Sequence, residues 1–300
     1  MDTGWLYDFL ALIETGNFTQ AASVRNCSQA AFSRRIQNLE NWAGAKLIDR
    51  SVYPMQLTDA GEKFQRSTLK LTSHLEDARA ELGLHQATHN IKMALTYALG
   101  TEKLPAWWKL WSGNGEIACT TVMGNIFETT SAFTSGLADI LISYSHPLYP
   151  GFQLEDDLYE RIVIGSETLA PYCSKELLGS AGFTFPGTPE QPVPLLNYSI
   201  QSYFSKVVQH ILDTSEAQLH SKIAFESEMS SILAKAAQQG LGVAWLTGTS
   251  ALQDIGPALR PLDKTATQTW SQDLDIVAYR AHANRRPHVL RLWAAMREAA

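Results

Sequence analysis

Phe18-Thr19-Gln20-Ala21-Ala22, and a short gap later Ser28-Gln29-Ala30-Ala31-Phe32-Ser33-Arg34-Arg35-Ile36, decide how this chain is read. Thr19 is a suitable N-cap for a short helix, and Ala21 and Ala22 are small enough for another helix to cross closely. Ser28 is a second N-cap, after which Phe32, Ile36 and Leu39 recur at helical spacing until Gly44 ends the run. Upstream, Leu6, Phe9, Leu10 and Ile13 form one apolar stripe, broken at Gly16-Asn17. Downstream, Leu47-Ile48, a break at Tyr53-Pro54, and Met55-Gln56-Leu57 predict a small β-hairpin. A long helix should then run to about Leu84, with Thr58 and Asp59 both fit to cap it. Its stripe of Phe64, Leu71, Leu75, Ala78 and Leu82 has heptad-like spacing and faces away from Lys63, Lys70, Glu76 and Arg79. Such a stripe must pack on something, and a second copy of the same helix is the natural partner.

From Ile91 the texture changes to alternating strands and helices. Strands are expected at Ile91–Thr96, Ala118–Met123 and Asp139–Tyr144, with helices near Pro105 and over Ile126–Gly136: a βαβαβ pattern with a parallel sheet. Gly179–Pro194 reads as loop. A second α/β unit follows, with strands near Pro194–Tyr198, Lys222–Phe225 and Gly242–Leu246 and helices from Tyr203 and over Met229–Gln239. A strand at Asp275–Tyr279 and a helix over Pro287–Glu298 close the chain.

The bulk numbers fit this plan. Of 300 residues, 45% are hydrophobic and 18% charged, enough to bury real cores over two or three domains. A net charge of −6 argues against a non-specific nucleic-acid coat but permits a local basic surface. Asp2, Asp8 and Glu14 interrupt the first apolar stretch, unlike a signal peptide, and no run reaches the length of a membrane span. Cys27, Cys119 and Cys173 are odd in number and scattered; neither a disulfide framework nor a metal cluster is expected, and a reducing cytoplasm suits them. No cofactor is implied. An enzyme on an α/β scaffold finds little support: there is no G-x-S-x-G, H-E-x-x-H or P-loop, and Gly113-Asn114-Gly115 lacks the rest of a dinucleotide fingerprint.

The opening segments, with Leu39-Glu40, Leu47-Ile48-Asp49-Arg50 and Leu57-Thr58-Asp59-Ala60-Gly61, closely resemble the N-terminal signature of LysR-type bacterial transcription regulators. Ser135-Gly136-Leu137-Ala138-Asp139 and Gly240-Leu241-Gly242-Val243-Ala244-Trp245-Leu246 resemble turns and strands of that family's sensor domain. Trp5-Leu6-Tyr7-Asp8-Phe9-Leu10, Leu195-Leu196-Asn197-Tyr198-Ser199 and Ala278-Tyr279-Arg280 are similar to the hypochlorite-responsive branch. Arg25, Cys27, Ala30 and Ile48 stand where family members usually place an apolar residue, valine, proline and phenylalanine. The resemblance implies an α+β multidomain chain. It would comprise a winged helix-turn-helix over residues 1–58, a linker and dimerisation helix over 59–88, and a two-lobed, periplasmic-binding-protein-like α/β sensor over 91–300. Lobe I would take 91–164 and 266–300, and lobe II 165–265. It also implies a sequence-specific DNA-binding regulator, a homodimer through the linker helix, and a tetramer built from two dimers.

In a helix-turn-helix the second helix presents its first turn to the major groove. Gln29 suits a bidentate contact to adenine, and Ala30 or Ala31 a thymine methyl. Ser28, Ser33, Arg34 and Arg35 are candidates on the same helix, although adjacent arginines diverge and at most one faces the bases. Arg50 at the wing is a candidate phosphate or minor-groove contact. Arg25 faces either a phosphate or water.

In the sensor half, ligands of open α/β sheets sit beyond the carboxyl ends of strands. Those ends carry Thr96, Tyr97, Gly100, Thr101, Met123, Asn125, Tyr144 and His146 from one lobe, and Tyr198, Ser202, Glu228, Met229, Trp245 and Thr247 from the other. Thr101 and Ser202 precede helices, where free N–H groups favour anions. The aromatic residues suit an aromatic or apolar small-molecule effector, or simply fill the cleft. Met123 and Met229 are candidate sites for an oxidant, as is Cys27 beside the recognition helix; each is equally readable as packing.

Overall fold

The computed structural model describes residues 2–51, 55–81, 89–113, 117–148, 154–248, 258–262 and 270–300. The chain divides into two compact units whose main boundary falls between Ala87 and Thr88.

In the N-terminal unit, α1 (Gly4–Thr15), α2 (Phe18–Val24) and α3 (Gln29–Ala43) close around Leu6, Phe9, Leu12, Ala21, Ala22, Phe32, Ile36 and Leu39. The cap of α2 is not Thr19, as the sequence suggested, but Asn17. The Asn17 side chain accepts from the N–H groups of Thr19 at 2.8 Å and Gln20 at 3.2 Å. Asn ranks with Ser and Asp as an N-cap, and its position between Gly16 and the helix leaves its backbone extended. Ser28 caps α3 by accepting from Ala31 N–H at 3.3 Å, and Gly44, at φ 69°, ends that helix in the left-handed region. Strands β1 (Ile48–Asp49) and β2 (Gln56–Leu57) pair antiparallel as the wing; the turn at Tyr53-Pro54 lies outside the described residues.

Helix α4 spans Asp59–Glu81. Thr58 resolves the capping ambiguity: its hydroxyl accepts from Gly61 N–H at 3.0 Å and donates to Lys46 O at 2.6 Å, tying helix to wing. Gly61 is sterically required, since a Cβ there would lie 2.0 Å from Leu47 O. Phe64 packs on Phe9 and Trp42. Farther along the stripe, Leu71 and Leu75 are exposed in the single chain. Leu82 and Leu84, and the side chains of Lys70, Glu76, Ala78 and Arg79, lie outside the described residues.

The sensor unit begins with β3 (His89–Thr96), α5 (Tyr97–Glu102), α6 (Leu104–Trp111), β4 (Ile117–Gly124), α7 (Ile126–Thr134) and β5 (Ile140–Ser145). β3 pairs in parallel with both β4 and β5, the expected βαβαβ arrangement. Alternation then sorts the side chains. Ile91, Met93, Leu95, Ile140 and Ile142 enter one core, and Ala94 and Leu141 join Phe133 on the other face.

Then come β6 (Tyr159–Ser174), α8 (Lys175–Leu178), β7 (Val193–Tyr198), α9 (Tyr203–Thr214), β8 (Ser221–Ser227), α10 (Ser230–Gln238), β9 (Ala244–Thr247), β10 (Leu259–Pro261), β11 (Gln272–Ala281) and, last, α11 (Pro287–Glu298).

β6 and β11 run antiparallel and extend the sheet of β3, β4 and β5 into one seven-stranded sheet of order β10-β6-β11-β5-β3-β4, with β9 also on β6. The sheet is therefore mixed, not purely parallel. β6 is the shared element: its first part pairs with β11 and its last part with β9 and β10. In lobe II, β7 pairs in parallel with β8 and meets the segment before β9 through Leu196 N–H to Val243 O and Val243 N–H to Pro194 O, both 2.8 Å.

Candidate DNA-reading surface and sensor cleft

Two buried carboxylates set the geometry of the N-terminal unit. Asp8 on α1 accepts from Arg25 Nε at 2.7 Å and from Arg35 Nη1 at 3.5 Å. Glu40 on α3 accepts from the N–H groups of Leu47 at 3.0 Å and Ile48 at 3.3 Å, and from Lys46 Nζ at 3.2 Å, so the wing strand is tied to the recognition helix. In the sequence Glu40 stands only as part of a signature, and Asp8 only as a break in an apolar run and within the Trp5–Leu10 resemblance. A carboxylate at a helix position that faces the core was the available signal.

These anchors sort the arginines. Arg34 lies roughly 200° around α3 from the core residue Phe32, whereas Arg35 is near the core edge and turns to Asp8. Arg34 is exposed, together with Gln29, Ala30 and Ala31, and Ser33 is half-buried. Ser28 is exposed, with its hydroxyl engaged as the cap. Arg25, read as facing phosphate or water, instead faces Asp8 and lies over the Tyr7 ring at 5.9 Å. Arg50 stands over the Phe18 ring at 4.8 Å and 3.7 Å from Glu40. Gln29, Ser33 and Arg50 share an open concavity of about 400 Å³ with Asn17, Phe18, Thr19, Gly16 and Met55, between recognition helix and wing. Cys27 is half-buried against the helical core.

In the sensor unit a small cavity of about 40 Å³ lies where the lobes meet. Of the expected residues, Thr96, Tyr97, Asn125, Tyr144, Ser202 and Glu228 line it; Ala98, Gly124, Ile126, Tyr203, Phe204 and Ser230 complete it. Gly100, Thr101, Met123, His146, Tyr198, Met229, Trp245 and Thr247 are not among its walls. The reasons are local. Thr101 turns its hydroxyl back to Tyr97 O at 2.8 Å. Met123 is 43% exposed, with its sulfur against Gly100, where a Cβ would lie 2.5 Å from it. Tyr198 is buried and donates to Trp245 O at 3.0 Å, and Trp245 donates to Trp270 O at 2.8 Å. Met229 precedes α10, Thr247 is buried, and the His146 ring lies tilted at 43° to that of His210, with centroids 6.2 Å apart. The aromatic residues mostly fill the cleft: Tyr144 and Tyr198 both pack on Phe204.

Under the cavity, Tyr144 donates to Glu167 Oε2 at 2.6 Å, and Lys103 Nζ lies 3.0 Å from Glu167 Oε1. Burial, then the Glu167 charge, holds the Tyr144 hydroxyl well above the ordinary phenol range. Two hydroxyls in the cavity wall are chemically available. Thr96 Oγ1 is buried with no hydrogen-bond partner among the described residues. Ser202, itself buried, precedes the 12-residue α9 without a side-chain capping bond. Burial raises Cys119 and Cys173 to about 11, so neither is a ready thiolate. No group of three metal-ligating side chains occurs among the described residues, and no helix among them is long and apolar enough to cross a membrane.

A capped helix-turn-helix with a wing, followed by an α/β sensor unit, defines a DNA-binding transcription regulator. Residues 4–62 match the family described as bacterial regulatory helix-turn-helix protein, lysR family. The HTH-type transcriptional regulator YjiE of Escherichia coli is 32% identical over 99% of this chain and 95% of its own length. A full-length structure of HypT from Salmonella typhimurium, a hypochlorite-specific LysR-type transcriptional regulator, is 31% identical, covers 99% of this chain and 98% of its own, and has a TM-score of 0.58. Vibrio fischeri DarR in complex with DNA is 26% identical, covers 100% of this chain and 99% of its own, and has a TM-score of 0.59. The chain belongs to the LysR family of transcription regulators and is not an enzyme.

Proposed function

We propose that this regulator reads DNA with Gln29, Ala30, Ser33 and Arg34 on α3 and with Arg50 beside the wing, and that a small solute in the sensor cleft controls it. The observation that carries the second half is the pair of available hydroxyls, Thr96 and Ser202, in one small cavity. At about 40 Å³ the cavity has room for about three water-sized atoms. Drug-sized ligands occupy roughly 300–1,000 Å³, so an aromatic effector would require the lobes to part. A halide, or an oxyanion of two or three heavy atoms, fits the folded state. The division at 1–58, 59–88 and 91–300, with lobe I at 91–164 and 266–300 and lobe II at 165–265, is our reading of how the parts cooperate. The exposed Leu71 and Leu75 support pairing of two linker helices, two such dimers making a tetramer, in the cytoplasm.

The test is thermal unfolding of the full chain with sodium bromide, formate or benzoate at equal ionic strength. Bromide or formate should raise the melting temperature, and Thr96→Val or Ser202→Ala should remove the rise. Stabilisation by benzoate alone, insensitive to both substitutions, contradicts the reading. The exposed Met123 sulfur favours a second reading, in which hypochlorite transfers an oxygen atom to that sulfur and leaves as chloride. Met123→Gln should then regulate constitutively; an unchanged oxidant response in Met123→Leu removes this reading.

A further inference from the structure

Arg25 and Arg35 both converge on one carboxylate. Asp8 has a side-chain exposure of 1%, and its two oxygens are divided between two helical segments: Oδ1 takes Arg25 Nε at the end of α2, and Oδ2 faces Arg35 Nη1 on α3. The guanidinium side chains remain 33% and 43% exposed. Arg25 stands three residues before the α3 cap, and Arg35 is next to the outward-facing Arg34. A buried carboxylate demands a cation, because removing its only partner is costly. Here it has two, both on the elements that present α3.

We propose that Asp8 is a positioning residue that holds Arg25 and Arg35 away from DNA phosphates, so that the outward face of α3 rather than total basic charge governs binding. The proposal rests on α3 being the DNA-reading helix. Each phosphate neutralised by a protein cation adds about 0.9 to the slope of log affinity against log salt concentration. Two held arginines therefore keep up to about 1.8 per protomer out of that slope. They also fix the crossing of α1, α2 and α3 through one shared carboxylate, which is how a charge that never touches DNA can affect sequence preference.

The experiment is a salt titration of the full chain binding a scrambled 40-base-pair duplex, about four helical turns and so free of any need for a known operator. Asp8→Asn keeps the side-chain shape and removes the charge. It should steepen the slope by about 0.9 to 1.8 per protomer and tighten low-salt binding several-fold. Adding Arg25→Gln and Arg35→Gln to it should restore the wild-type slope. An unchanged slope in Asp8→Asn that melts like wild type overturns the proposal. Should Asp8→Asn fail to fold, Arg25→Gln alone decides: an unchanged slope is expected, and a fall of about 0.9 overturns the proposal. Arg34→Ala, measured alongside, should flatten the slope; its failure to do so counts against the reading of α3 and is thereby distinct from failure of the Asp8 proposal.

Discussion

In the N-terminal unit the buried carboxylates Asp8 and Glu40 are fully engaged in aligning helices and wing; in the sensor cleft Glu167 is satisfied beneath the floor, while the Thr96 hydroxyl has no partner among the described residues. Satisfied buried networks fix one arrangement, and an unpaired buried hydroxyl costs stability unless something binds it. A surface that must meet DNA in register calls for the first condition, and a sensor that must respond calls for the second.

The comparison breaks most severely at Glu40. Glu40→Ala leaves two buried N–H groups without an acceptor, and should cost about 3 kcal/mol or more in urea unfolding of the N-terminal unit. Tyr144→Phe removes the 2.6 Å bond to Glu167 and should cost about 1–3 kcal/mol in unfolding of the sensor unit. Thr96→Val should have the opposite character, changing stability by less than about 1 kcal/mol, or raising it, while abolishing the bromide response. Its destabilisation on the scale of Tyr144→Phe would remove the contrast between the two hydroxyls.

The smallest effect concerns pH. Burial, then the neighbouring His210, lowers the His146 pKa, with Asp275 opposing. The unfolded chain thus takes up this proton at higher pH than the folded one. Stability is untouched well above the ordinary histidine value of about 6.5 and erodes as pH falls through it. Melting temperatures at pH 7.5 and 5.5 should differ less in His146→Asn than in wild type.

Most of the helix-turn-helix was legible because its signals are local: Ser28 and Gly44 bound α3, and Phe32, Ile36 and Leu39 repeat on one face. What depended on distant partners was not. Neither Arg25 nor Arg35 reveals in sequence that it meets Asp8, far upstream. In the sensor, β3, β4 and β5 were readable from short apolar runs, but β6 was missed. Tyr159–Ser174 mixes charged and apolar residues, with Gly165 and Pro171 as apparent breakers, and becomes a strand through pairing with β11, β9 and β10. Only some of the strand-end candidates border the cavity, for a related reason. Strand ends can be named from sequence, but whether a side chain enters the cavity depends on packing: Tyr144 borders it, while Tyr198 is turned to Trp245.

The central claim is that α3 reads DNA through its outward face, and salt-titrated binding to the DNA just upstream of the gene tests it most directly. Full-length wild type should prefer that duplex to a scrambled one of equal length, and Arg34→Ala should lose about 1–3 kcal/mol of binding free energy together with much of that preference. Selective binding that is unaffected by Arg34→Ala would contradict the account.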